Sequence, residues 1–269
     1  MGLTGAISRV ADPYDRQARL YPALLALAPA ILTVSCLYGA HASLLSSGAA
    51  IVVSCGMMFW LANLARDRGK TLEPALFAAW GGKPSVQLLR HRDSRIDAVT
   101  KQRYHAKLSA KMRVEIPTQE LEARDPAQAD AVYESATKWL LERTRDTRCF
   151  ALLFKENISY GFRRNMLGLK PYGTGLAVAA LIWSLIASGV AQTHDLSASS
   201  LFRISDIPPN HLMAIAGSGL ILLMWLGGTT KERVRIVAFA YAERLLAACE
   251  TIDDAKLSAK TARKSKAKS

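Results

Sequence analysis

The chain has 269 residues, of which 50% are hydrophobic and 7% aromatic, and its formal net charge is +13. This excess of positive charge favours a polyanionic neighbour, such as nucleic acid, a nucleotide or an anionic membrane surface. The four cysteines lie far apart and form no CxxC pair, which argues against a disulfide framework and against a zinc site.

The N-terminal segment, residues 1–21, carries Arg9, Arg16 and Arg19 together with two aspartates before any apolar run begins. A secretory signal peptide would instead have a short basic start followed closely by an apolar core and a cleavage site. We therefore expect the first apolar run to be retained, with residues 1–21 as a cytoplasmic N-terminus.

Four later stretches are apolar and contain no Asp, Glu, Lys, Arg or His. Each is close to the ~20 residues that a helix needs to cross the ~30 Å hydrocarbon core of a bilayer. They cover residues 22–39, 44–62, 175–191 and 212–228. The sequence therefore predicts an all-α integral membrane protein with two transmembrane helical hairpins, residues 22–63 and 174–228.

Lysine and arginine are distributed very unevenly around these hairpins. The segment between them, residues 64–173, holds 21 of the 35, the N-terminus holds three and the chain from Thr229 onward holds ten. The two connections on the other side together hold one, Arg203. Because loops rich in lysine and arginine stay on the cytoplasmic side, both termini and the central segment are predicted to be cytoplasmic.

Small residues recur every four positions within the second hairpin. Such residues let helix backbones approach closely, so they predict the packing face of the membrane helices. The candidate packing residues are Ala180, Ser184, Ser188, Ala214 and Ser218. Coupled transporters usually carry ionisable groups within the bilayer, and these runs have none, which argues against that class.

Start and stop signals divide the central segment, residues 64–173, into a string of helices, so we expect a basic helical cytoplasmic domain. Gly81 and Gly82 end one helix, and Pro84 opens the next. Asp93 or Ser94 starts a further helix, and Asp125 starts another.

A further helix, about residues 149–167, is predicted to end at Gly168, with Pro171 just beyond. After the second hairpin the apolar spacing predicts a cytoplasmic amphipathic helix over residues 229–255. The last segment, residues 256–269, has six basic residues and no acidic one, which predicts a disordered tail.

Two clusters stand out as candidate binding sites. The first could hold a phosphate-rich ligand, or it could be a solvated face close to anionic lipid. This candidate patch for an anionic partner contains Arg90, His91, Arg92, Arg95, Lys101, Arg103 and His105.

The second cluster lies in the stretch ENISYGFRRN. Its polar side chains could form an internal network that docks the helix against the membrane bundle, with Glu156 pairing with Tyr160. They could instead form a ligand pocket or a plain collar of charge at the membrane surface. The candidate ligand-binding residues are Glu156, Asn157, Tyr160, Arg163, Arg164 and Asn165.

The sequence shows no motif of a catalytic or cofactor site. It lacks GxSxG, GxGxxG and HExxH patterns, and the glycines before Lys83 do not form a phosphate-binding loop. We therefore predict no cofactor and no metal, and the sequence points away from an enzyme.

The segments WGGKPSVQLLRHRD, KQRYHAKL, ERTRD and ENISYGFRRNMLGLKP resemble a group of bacterial membrane proteins of uncharacterised activity. The resemblance spans the central segment and the hairpins, and it implies location in the bacterial inner membrane. In layout alone the chain is also similar to small membrane effectors of bacterial antiphage systems, which implies no residue assignments.

Two functions follow as expectations. The first is a membrane effector or channel-like assembly, in which the basic domain senses an anionic ligand and an oligomeric four-helix membrane region rearranges. The alternative is a membrane-tethered scaffold that recruits a protein or nucleic acid without forming a pore. An enzyme acting on lipid headgroups or nucleotides is a third possibility. The expected partners are the lipid bilayer, further copies of the chain, and a nucleotide, nucleic acid or protein on the cytoplasmic face.

Overall fold

The structure of the protein, a computed structural model, describes residues 12–39, 44–189 and 207–252. For residues 44–52 it describes the backbone alone. Every regular element within these ranges is helical. The first predicted outer connection, most of the second and the predicted basic tail lie outside the described residues, and the end of the second, residues 207–211, leads into a helix that begins at Pro209.

The helices are named here in chain order. They are α1 (Pro13–Tyr38), α2 (Leu44–Ala79), α3 (Pro84–Gln87), α4 (Ala98–Met112), α5 (Gln119–Arg124), α6 (Pro126–Arg143), α7 (Ala151–Ala187), α8 (Pro209–Gly228) and α9 (Lys231–Ala247). A short 3₁₀ turn, Ala248–Glu250, follows α9.

Three of these helices, α1, α7 and α8, are long and apolar enough to cross a membrane. They contain the described parts of three of the four predicted crossings. The remaining run, residues 44–62, forms the first half of α2. The all-α class is thus confirmed with three candidate membrane helices, and the fourth crossing stays a prediction.

Helix α7 corrects one boundary. The predicted stop at Gly168 is wrong, because the helix continues without interruption through Gly168 and Pro171 to Ala187. A Cβ on Gly168 would lie 2.7 Å from the backbone nitrogen of Gly69, so this glycine permits a close helix approach. The proline removes one backbone donor, a loss that long membrane helices tolerate.

Helix α4 corrects another boundary. It begins at Ala98, after the predicted start at Asp93 or Ser94, because the carboxylate of Asp97 accepts the backbone N–H of Thr100 at 2.8 Å. The predicted glycine stop after α2 is confirmed: Gly81 and Gly82 have φ angles of 86° and 129°.

The chain divides into two compact units. Unit 1 comprises Met1–Leu72 and Gly161–Arg233, and unit 2 comprises Glu73–Tyr160 and Val234–Ser269. Helices α2 and α7 each contribute residues to both units.

Unit 1 has a core of leucine, alanine and one large aromatic residue, Trp225, which is fully buried. The ring of Trp225 lies directly on the backbone of Gly173, where no side chain would fit. The ammonium of Lys170 donates to the carbonyls of Leu226 (3.1 Å) and Thr229 (2.8 Å) and so caps the end of α8.

Unit 2 has a separate core, to which α9 contributes together with the helices of the central segment. From α6 the core receives Tyr133 and Leu140, and from α9 it receives Phe239, Leu245 and Leu246. This joint core gives unit 2 an interior of its own and positions the side chains described next.

Candidate functional site

The six residues of the ENISYGFRRN cluster are divided between the two units. Glu156, Asn157 and Tyr160 belong to unit 2, whereas Arg163, Arg164 and Asn165 belong to unit 1. The hydroxyl of Tyr160 donates to Glu73 at 2.7 Å, so the expected pairing of Tyr160 with Glu156 is wrong. The ring of Tyr160 also stacks in parallel on Tyr241 at 6.0 Å between centroids.

Asn165 anchors α7 to α1 within unit 1. Its side chain is fully buried, and its amide nitrogen donates to the carbonyl of Ala18 at 2.6 Å. Its amide oxygen accepts from the guanidinium of the buried Arg164 at 3.1 and 3.2 Å, and it lies against Gly69 of α2. These contacts favour the docking interpretation for this half of the cluster. Asn157 is half-buried, and Arg163 is exposed.

The arginines of the candidate anionic-partner patch are engaged within unit 2. The guanidinium of Arg90 donates two hydrogen bonds, of 2.8 and 2.6 Å, to the carboxylate of Asp130, the bidentate geometry that arginine and carboxylate favour. Arg95 donates to Asp93 at 2.9 Å while its guanidinium lies 4.0 Å from the ring centre of Phe239.

Two further arginines have acidic neighbours as well. Arg103 donates to Glu250 at 2.5 Å, and Arg92 lies 3.8 Å from a carboxylate oxygen of Glu122. The structure therefore does not gather the seven predicted residues into an open basic face. A phosphate-rich ligand would have to displace these carboxylates.

The histidines of the patch lie in a buried polar cluster. His105 hydrogen-bonds the carbonyl of Leu89 through Nε2 at 2.8 Å, and its ring contacts His91 edge-on at 4.8 Å between centroids. The ring of His105 also stacks on Tyr133 at 5.8 Å. Burial, with a smaller contribution from His91, lowers the pKa of His105 from 6.5 to about 4, so it is neutral at pH 7.

Glu122 and Tyr133 complete this cluster. Tyr133 donates its hydroxyl to Glu122 at 2.8 Å, and the same carboxylate oxygen accepts the backbone N–H of His91 at 2.7 Å. Burial acts to raise the pKa of Glu122, but these hydrogen bonds outweigh it and leave the pKa below its ordinary value. The carboxylate therefore remains ionised and holds three segments together.

Lys101 is buried too, and its ammonium donates to the carbonyls of Arg90 (2.7 Å) and Asp93. Burial lowers its pKa, while the negative charges of Asp93 and Glu122 act in the opposite direction. Lys101 thus stabilises the segment between α3 and α4, and its ammonium is directed at backbone carbonyls instead of an external anionic partner.

A cavity of about 410 Å³ in unit 2 brings together members of both predicted clusters, Glu156 from one and Arg95 from the other. Helices α4, α7 and α9 and the turn before α4 supply its walls. The other lining residues are Ile96, Asp97, Tyr104, Ala240, Glu243, Arg244 and Ala247. The two alanines of α9 leave the space open, while the longer side chains surround it with charge of both signs.

Four of the predicted packing residues, Ala180, Ser184, Ala214 and Ser218, are buried in unit 1, and Ser188 is half-buried. Ser184 gives its proton to the carbonyl of Ala180 at 2.8 Å. Thr33 of α1 lies 3.4 Å from the hydroxyl of Ser184 and 3.2 Å from that of Ser218. Because Ser184 already donates its proton to Ala180, Thr33 donates to the hydroxyl of Ser184, and Ser218 in turn donates to the hydroxyl of Thr33.

Replacing Thr33 with valine is expected to destabilise unit 1 by about 1 kcal/mol, within the range measured for hydrogen bonds between membrane helices. The variant keeps the shape but removes the central link of the three-hydroxyl chain. Thr33→Ser keeps the hydroxyl and should retain most of the stability. Unfolding of the detergent-purified protein by SDS measures both, and equal loss in the two variants would contradict the role of the hydroxyl.

Sequence reasoning missed several residues that complete these sites. Glu243 and Arg244 gave no signal, because they are ordinary solvent-side positions of an amphipathic helix. Thr33 gave no signal either, because a single threonine in an apolar run has no spacing that marks it as a partner of the serines. In the described part of the chain no group of His, Cys, Asp and Glu residues is arranged to hold a metal ion.

Comparison of the whole chain with protein-family models, with curated proteins and with solved structures finds no match.

Proposed function

We propose that the protein crosses the bacterial inner membrane four times and holds unit 2 at the cytoplasmic face as a binding module. The observation that carries this proposal is the surface of unit 1, where large apolar side chains are exposed although three hydroxyl side chains, Thr33, Ser184 and Ser218, are buried beside the apolar core. Each of the following is more than half exposed: Val34, Val53, Trp60, Met213, Leu220 and Leu223. In water such a surface would be unfavourable by about 25 cal/mol per Å², whereas hydrocarbon is its natural solvent.

Aromatic and polar contacts at one end of the membrane helices support this placement. Trp183 donates its indole N–H to the hydroxyl of Tyr38 at 3.1 Å, and both rings are exposed. Tryptophan and tyrosine concentrate where the bilayer meets water. Nearby, Asn210 donates to the carbonyl of Cys36 at 3.1 Å.

The same burial pattern favours an anchor over a pore. The hydroxyls of Thr33, Ser184 and Ser218 bond to one another within a single copy of the chain, so they do not line an aqueous path between copies. Within the predicted membrane crossings, the large exposed side chains that the structure describes are apolar or aromatic, and an aqueous pore requires polar lining. We therefore assign the binding function to unit 2, which has its own core and its own cavity.

The membrane-effector function is the second candidate, and one observation favours it. Helices α2 and α7 run without interruption through residues of both units. A ligand that bound unit 2 could therefore bias the membrane helices through continuous backbone. Depolarisation of cells that express the protein would support this candidate over a passive anchor.

Cys149 offers a test of the topology, because it is an exposed thiol of unit 2. In spheroplasts a membrane-impermeant maleimide is expected to leave Cys149 unlabelled until detergent is added. In a chain whose other three cysteines are replaced by serine, Cys149→Ser should abolish the detergent-dependent signal. In that background His41→Cys, placed in the predicted outer connection, should be labelled in intact spheroplasts. Labelling of Cys149 in intact spheroplasts, or release of the chain by carbonate without detergent, would overturn the proposal.

A further inference from the structure

We propose that the cavity of unit 2 binds a small zwitterion, a molecule that carries a primary ammonium and an oxyanion such as phosphate or carboxylate. This inference names the ligand class of the binding module proposed above. It rests on unit 2 being that module and not on the membrane topology.

Three charged side chains of the cavity wall have no partner. Glu156 of α7 and Glu243 and Arg244 of α9 make no hydrogen bond or ion pair within the residues that the structure describes. Although they line one cavity, the guanidinium does not approach either carboxylate closely enough to form an ion pair. Because these unlike charges line the same cavity without pairing with one another, a ligand that carries charges of both signs can pair with them.

The other charges of the wall are already used. Arg95 is neutralised by Asp93, and Asp97 accepts the backbone N–H of Thr100. A ligand therefore meets two available carboxylates and one available guanidinium. The carboxylates suit an ammonium, and the guanidinium suits an oxyanion.

Tyr104 adds a donor for the oxyanion. Its side chain is largely buried, and its hydroxyl makes no hydrogen bond among the described residues. Burial raises the pKa of Tyr104, so the phenol keeps its proton at neutral pH and can donate it in a hydrogen bond. An oxyanion held by Arg244 could accept from this hydroxyl.

Charge and size both select against a polyanion. The wall carries three carboxylates against two guanidiniums, so nucleic acid or a polyphosphate would be repelled overall. The volume of about 410 Å³ falls within the range of small-molecule sites. Phosphoethanolamine and α-amino acids have the required pair of groups, and the headgroup of phosphatidylethanolamine presents the same chemistry from the membrane.

The test is calorimetric titration of the full-length protein in detergent with phosphoethanolamine and with glycine, beside ethanolamine and inorganic phosphate as single-charge probes. At least one zwitterion should bind, and both single-charge probes should bind several-fold more weakly. Glu156→Gln, Glu243→Gln and Arg244→Gln should each weaken binding about five-fold, the upper range for a solvent-accessible ion pair. Glu120→Gln and Lys155→Gln, which change exposed charges outside the cavity, should leave binding unchanged.

Repeating the titration in nanodiscs with and without phosphatidylethanolamine distinguishes the source of the ligand. If this lipid suppresses binding of the added zwitterion, its headgroup is the occupant of the cavity. If binding of the added zwitterion is unchanged, the occupant is a soluble zwitterion. Failure of both zwitterions to bind, binding equal to that of phosphate alone, or insensitivity to all three cavity variants would overturn the inference. Because the variants change exposed or half-buried side chains, helical circular dichroism should be unaltered in each. A failed titration beside a normal Cys149 labelling pattern would reject the ligand class while leaving the membrane topology intact.

Discussion

Replacing Gly168 with alanine is expected to destabilise unit 1 by about 1–3 kcal/mol, the range for inserting a methyl group into a packed interior. The new Cβ would lie 2.7 Å from the backbone nitrogen of Gly69 and 3.0 Å from the carbonyl carbon of Arg68. Backbone atoms cannot rotate aside as a side chain does, so α2 and α7 would have to separate. SDS-induced unfolding of the detergent-purified protein measures the loss.

Two other glycines of unit 1 provide matched controls. Gly175 lies in the same helix with no heavy atom within 4 Å of a new Cβ, so Gly175→Ala should be neutral or stabilising, since alanine is favoured by about 1 kcal/mol in helices. Gly217→Ala would meet only the side chain of Leu32, which can change rotamer. The expected order of stability is Gly175→Ala, then Gly217→Ala, then Gly168→Ala. Equal stability of the first and last variants would show that α2 and α7 do not cross this closely.

The misprediction at Gly168 shows what local patterns can and cannot establish. A glycine followed by a proline is typical of a helix end, and the same logic succeeds at Gly81, where the backbone adopts a positive φ. At Gly168 the residue is needed by a segment about one hundred positions earlier in the chain, which no local window contains. Charge-free runs and caps, in contrast, are local properties, and they predict the helical class correctly.

The basic patch shows a related limit of local patterns. Its arginines are conspicuous in the sequence, but Asp130 and Glu250, which engage Arg90 and Arg103, lie 40 and 147 positions away. Composition counts charges, whereas the field at a surface depends on which charges the fold brings together. The density of polar groups in its segment marks Glu156 as a ligand candidate, and the structure places it in the wall of a cavity. Its neighbours Glu243 and Arg244 come from a helix that showed only an amphipathic pattern.

Lowering the pH from 7 to 5 is expected to reduce the stability of unit 2 by about 2 kcal/mol through His105 alone. Burial lowers the pKa of this histidine to about 4 in the folded protein, whereas the unfolded chain has the ordinary value of 6.5. The unfolded state therefore binds more protons in this interval, and stability falls as the pH falls. The contribution is complete above about pH 6.5 and is lost progressively toward pH 4, for a total of about 3 kcal/mol. Hydrogen-exchange protection of α4, corrected for intrinsic exchange, measures it in detergent.

His105→Gln separates this histidine from the other titrating groups of unit 2. The glutamine amide can still donate to the carbonyl of Leu89 but has no proton to gain, so protection of α4 should become nearly independent of pH between 7 and 5. His211→Gln, a substitution in unit 1, should retain the slope of the unaltered protein. The carboxylate of Glu122 should not contribute to this slope, because its ordinary pKa of 4.5 already lies below the interval and the fold lowers it further. A slope that persists in His105→Gln would show that another group controls the acid sensitivity of the domain.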